Sequence, residues 1–173
     1  MAKKAIINAV LFQTIWFVCL LMGSFWALLA TVCYLVCHHL FIMKNRREWR
    51  LISVFLLLGV VVDGSLFRLS VFTSATESWT TFGVPPVWLL CLWVSVATLF
   101  AHSLSFLIKR YALAAGFGLI GPTMSYFAGA KMAGITLASP LIYSLLLVAV
   151  LWAMILPFGV WLTDKWQLTD RKD

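Results

Sequence analysis

A chain of 173 residues that is 63% apolar and only 11% charged has too little polar surface to face water all round. A soluble domain carries about 25% charged residues, and the same hydrophobicity rules out a disordered chain. The net charge of +7 does not point to nucleic acid. The basic residues stand at the ends of apolar runs, where they orient the chain and meet anionic headgroups, and no basic stripe with interleaved aromatics lies elsewhere. The length suits six membrane spans of about 20 residues with short loops.

In chain order, the first apolar run is too long for one span. Gly23 and Ser24 divide it into Ala5–Met22 and Ser24–Met43, a tight helical hairpin. The basic turn Lys44, Asn45, Arg46, Arg47, Glu48, Trp49, Arg50 follows, then a third span, Leu51–Phe72. A polar loop from Thr73 to Pro86, charged only at Glu77, leads to a fourth span, Val87–Ile108, closed by Lys109 and Arg110. The fifth, Ala112–Ala130, is short and glycine-rich, and the sixth is Leu141–Thr163. The expected fold is therefore all-α: one multi-pass membrane domain over residues 1–173. The n-region-like Lys3 and Lys4 are followed by a run too long for a signal peptide and without a cleavage site, so the first helix is read as retained.

Lys and Arg distribute unevenly between the two sides. Lys3, Lys4, Lys44, Arg46, Arg47, Arg50, Lys109, Arg110, Lys165, Arg171 and Lys172 fall on one side, Lys131 alone on the other, and Arg68 within a span. The positive-inside rule makes the first side cytoplasmic, with both termini in. Trp49, Trp161 and Trp166 then mark the inner interface, and Trp26, Trp79 and Trp88 the outer.

Polar residues inside the spans carry the functional information, because hydrocarbon tolerates them only against protein or water. Asp63 lies near the middle of the third span, with Gly59 one turn away to admit a neighbouring helix. Arg68 is about 140° further round and reads as an interfacial anchor. The fourth span has a seam, Cys91, Ser95, Thr98, His102, Ser105, at spacings of 4, 3, 4 and 3. The second has another, Ser24, Ala27, Thr31, Tyr34, His38, at 3, 4, 3 and 4. Two such stripes face one another or a shared interior, either as packing or as a lined cavity. The cavity reading groups Asn8, Gln13, His38, Asp63 and His102 in an inner-facing pocket able to move a proton or hold a headgroup.

The fifth span holds Gly118 and a small-residue ridge, Gly121, Ser125 and Gly129, that suits close helix packing. Pro122 is expected to bend or break this helix and to make it central. Gly116, Gly118 and Gly121 match a dinucleotide-binding spacing, but no strand precedes them, so no cofactor is assigned. Cys19, Cys33, Cys37 and Cys91 all lie in apolar runs, against a disulfide framework. Cys33, Cys37 and His38 are a turn apart, yet neither a carboxylate nor a second thiol pair completes a site, so no metal is assigned.

Four segments together resemble a family of uncharacterised bacterial inner-membrane proteins, a domain of unknown function. They are Asn8, Gln13 and Trp16-Phe17; Val62-Asp63-Gly64-Ser65-Leu66; Pro86-Val87-Trp88-Leu89 with Leu92-Trp93 and Ala97; and Gly121-Pro122-Thr123-Met124-Ser125-Tyr126-Phe127-Ala128-Gly129. The resemblance implies a small multi-span protein of proteobacterial type, in the company of lipid-modifying enzymes. It carries over no catalytic residue.

Three functional classes follow. The first is an accessory protein that binds membrane lipids, a membrane protein partner or a second copy of itself, with no catalysis. The second is a small proton-coupled transporter using Asp63 and His102. The third is an intramembrane lipid-modifying enzyme with the same two residues as base and acid. The short loops and the absence of a recognisable catalytic constellation place the accessory reading first.

Overall fold

The computed structural model describes residues 2–74 and 78–169; Glu77, Arg171 and Lys172 lie outside them. The chain is an all-α membrane bundle. Helix α1 (Ala2–Leu21) turns at Gly23, whose φ of +77° only glycine adopts freely, into α2 (Gly23–Cys37). The last turn of this second helix is π-helical, His38–Ile42. Helix α3 spans Glu48–Arg68, and α4 spans Val87–Ala97. Helix α5 (Tyr111–Ala133) is capped by Gly134 in the left-handed region, and α6 covers Leu141–Lys165.

Helices α1, α3, α6 and α2 with its π-helical end are long and apolar enough to cross a membrane. The exposed side chains on these helices are large and apolar, among them Ile6, Val10, Phe25, Leu40, Leu57 and Val61. That surface suits lipid and not water.

Three expectations need correction. The fourth span is α-helical only to Ala97; residues 98–108 continue as tight turns, with hydrogen bonds such as Leu99 N–H to Val96 O and Leu107 N–H to Leu104 O. Leu99, Phe100, Ala101 and His102 are buried there. Irregular backbone at this depth survives because protein surrounds it and its amides stay paired. Phe100 wedges against Phe55 (ring centroids 4.8 Å apart) and against bare backbone at Gly159.

Secondly, Pro122 does not break α5, which runs unbroken through it. Thirdly, Gly121 is no packing point, because a Cβ there would meet nothing within 4 Å. The close approach of α5 to α6 occurs instead at Gly118, against the backbone of Trp152.

The two polar loops carry structure that periodicity does not reveal. Strand β1 (Phe72–Ser74) pairs antiparallel with β2 (Ile135–Leu137), Thr73 opposite Thr136. This ribbon ties the end of α3 to the end of α5. Arg68 and Lys131 lie at this end, in the last turns of α3 and α5, whereas Lys4 and the basic turn Lys44–Arg50 lie at the opposite end of the bundle. There Lys4 Nζ donates to Phe41 O (2.9 Å) and Ser103 Oγ donates to Ala5 O (2.7 Å).

Candidate functional site

Asp63 is wholly buried on α3. Four residues earlier, Gly59 leaves room for the Trp93 indole, whose carbons would stand only 2.5 Å from an added Cβ. This close approach lets Trp93 Nε1–H donate to Asp63 Oδ2 at 2.6 Å. Tyr126 of α5 donates its hydroxyl to Oδ1 at 2.8 Å. Trp93 also stacks on Trp152 of α6, ring centroids 4.8 Å apart. One carboxyl thus fastens α3, α4 and α5, with α6 locked through the stacked indoles. A buried carboxyl needs such donors, because leaving it unpaired in hydrocarbon is far more costly than a lost surface bond.

Beside this clasp lies a cavity of about 530 Å3, within the range of small-molecule sites. Its wall is mostly apolar and aromatic, including Leu20, Trp88, Leu92, Phe117 and Leu156. It borders α5 from Phe117 to Ala130, thirteen helical rises or about 20 Å. Polar groups are few. Gln13 and Tyr126 are among them, and Trp16 Nε1–H donates to Ser125 Oγ at 2.7 Å. Trp88, expected at the outer interface, is buried in this wall.

A second polar region sits at the basic end, where the seams of α2 and α4 meet. Thr31, Tyr34, His38, Ser95, Thr98 and His102 are all buried. Tyr34 OH bonds Thr98 Oγ1, and Asn8 Nδ2 donates to both at 3.0 and 3.3 Å. Ser103 Oγ also lies 2.7 Å from Asn8 Oδ1, so its one proton serves either Ala5 O or Asn8 Oδ1. Beyond them, His38 Nε2 and His102 Nε2 lie 3.1 and 3.0 Å from the same oxygen, Glu48 Oε2. The other oxygen, Oε1, accepts backbone N–H bonds from Lys44 (3.1 Å) and Asn45 (3.4 Å).

The residues expected in one pocket therefore divide. Asn8 joins the Tyr34–Thr98 network, Gln13 lines the cavity, and His38 and His102 meet at Glu48. Asp63 is bound to Trp93 and Tyr126 instead. Glu48 and Asp63 are fifteen residues apart on one helix, about 22 Å, so Asp63 and His102 do not act on a shared atom. Gly129 meets only the flexible tip of Leu20, at 3.3 Å from an added Cβ. Cys33 and Cys37 are exposed while His38 is buried, so those three do not converge. His39 is exposed, near Met43 and Trp49.

Glu48 is the residue that sequence reasoning missed. Within a basic turn it looks like an ordinary acid at a helix N-terminus, favoured by the helix dipole. Yet it is only 2% exposed. The available signal was its isolation, one carboxylate among four cations at the mouth of two histidine-bearing seams.

No curated protein and no solved structure matches this chain. A family model described as "Protein of unknown function (DUF2878)" matches residues 5–158, nearly the whole of the sequence, and the chain belongs to that family.

Proposed function

We propose that this is a bacterial inner-membrane protein, both termini cytoplasmic, that binds a lipid acyl chain between α1, α4 and α5 as an accessory to lipid metabolism. The observation that carries this reading is the elongated apolar cavity with its sparse polar groups. About 20 Å of length along α5 exceeds one leaflet of a bilayer core about 30 Å thick, which suits a single chain. The fastening of Asp63 by two donors favours a rigid wall over a residue that alternates between states, as a carrier requires. The basic residues at one end support the orientation.

The test compares two glycines of α5 that both have open space at Cβ. Gly121 lines the cavity and Gly116 does not. Purified protein is analysed by native mass spectrometry with extraction of the retained lipid. The expected result is that Gly121→Trp loses most of the lipid held by the wild type while Gly116→Trp keeps it. Equal retention by all three would remove the cavity as the lipid site. A deletion strain with an unaltered lipid profile would separate lipid binding from lipid metabolism and turn the search toward a protein partner.

A further inference from the structure

We infer that His38, Glu48 and His102 form a binding site for one divalent transition-metal ion at the cytoplasmic end of the bundle. The inference stands apart from the lipid reading. It starts from where the three donors come from. His38 opens the π-helical turn that ends α2. His102 lies in the unwound stretch after α4, and Glu48 is the first residue of α3. All three occupy points where regular helix begins or fails, and π-turns recur at functional sites. The irregularity brings together groups separated by 10 and 54 residues in sequence.

The spacing is that of ligands around one centre. The three donor atoms lie within 4.8 Å of one another, with Glu48 Oε2 at 3.0 and 3.1 Å from the two nitrogens. Donors about 2.1 Å from a metal and 90° apart are separated by about 3.0 Å. Both imidazole nitrogens therefore already stand at about ligand-to-ligand distance from Glu48 Oε2.

The donor set of two imidazoles and one carboxylate is that of catalytic zinc and non-haem iron(II) sites, with coordination positions left over for water or substrate. Glu48 is itself held in place, its Oε1 accepting two backbone N–H bonds so that Oε2 faces the imidazoles. His38 Nδ1 has no protein partner among the described residues, so its N–H in the metal-bound tautomer calls for an ordered water. A bound cation would also offset the charge of a carboxylate that packing has taken out of water.

The experiment uses full-length protein in detergent, stripped with a chelator and loaded with Zn2+, then with Co2+ as a spectroscopic probe. Cys33→Ser/Cys37→Ser serves as the background, so that exposed thiols do not contribute. The expected result is close to one ion per chain, cobalt d–d absorption bands, and at least a tenfold weaker affinity in Glu48→Gln and His102→Gln. His39→Ala, altering the exposed neighbour, is expected to change nothing. Because a triad variant can fail to fold, the melting temperature of the background protein is also read with and without Zn2+, and saturating metal is expected to raise it. No retained ion with Zn2+, Co2+, Mn2+ or Fe2+ and no rise in melting temperature would make the triad a hydrogen-bonded clasp only. Undiminished binding by a folded Glu48→Gln/His102→Gln double variant would place the metal elsewhere and equally overturn the assignment.

Discussion

Two glycines one helical turn apart on α5 are expected to respond in opposite ways to the same added methyl group. At Gly118 a Cβ would stand 2.7 Å from the carbonyl carbon of Trp152 and 3.1 Å from Ala153 Cα, where carbon atoms prefer about 3.5–4.0 Å. The obstacle is backbone and cannot rotate aside, so α6 must move by about 1 Å. Overpacking of this kind costs about 1–3 kcal/mol, and the rigid neighbour places Gly118→Ala at the upper end. For a chain of this size each kcal/mol lowers the melting temperature by about 2–4 °C, so a drop of about 6–12 °C is expected. At Gly121 an added Cβ meets nothing within 4 Å, and alanine favours helix over glycine by about 1 kcal/mol. Gly121→Ala should melt at or above the wild-type temperature. Gly129→Ala, pressing only the tip of Leu20, should fall between them. The assay is thermal unfolding of the three variants in one detergent, with circular dichroism confirming helicity before heating. If Gly118→Ala melted within about 2 °C of wild type, below the shift expected for 1 kcal/mol, the close α5–α6 contact would be refuted.

Other perturbations test the remaining contacts. Asp63→Ala strands Trp93 Nε1–H and Tyr126 OH and should lower stability by about 2–5 kcal/mol, whereas Asp63→Asn, which keeps an acceptor, should lose less; equal losses in denaturant titration would contradict the two-donor clasp. Gly59→Ala should be destabilising because it pushes the Trp93 ring, and its loss should be less than additive with that of Trp93→Phe; strict additivity in a double-mutant cycle would deny the coupling. Thr98→Val removes the partner of Tyr34 and Asn8 and should destabilise by about 2 kcal/mol, a change that unaltered unfolding would rule out. Reporter fusions after Arg50 and after Arg110 should be active only as cytoplasmic reporters; a periplasm-active fusion at either point would invert the proposed topology.

Much of the architecture is legible in the chain because a membrane imposes one dominant rule. Backbone in hydrocarbon must pair internally, so apolar runs of about 20 residues become helices, and the positions of Gly23, Lys44–Arg50 and Lys109–Arg110 mark where they turn. The small and polar stripes of the second and fourth spans also show in the sequence, since helical periodicity alone decides that Thr31 and Tyr34, or Cys91 and Ser95, share a face. Gly59 beside Asp63 likewise announces a close neighbour.

Partners, however, are set by distances between helices, which one-dimensional spacing does not contain. Only the tertiary structure shows that the neighbour of Gly59 is Trp93, that Asp63 is fastened to it and to Tyr126, and that Gly118 rather than Gly121 meets α6. Helical periodicity also misleads where the backbone leaves the helix. It extends the fourth span to Ile108, whereas regular α-helix stops at Ala97 because the buried turns beyond it find their hydrogen bonds another way. That departure, with the π-turn at His38, carries two histidines to a glutamate that sequence alone assigns to a loop. Charge near a basic turn looks the same whether it faces water or is enclosed; only the packing of three chain segments around Glu48 decides which.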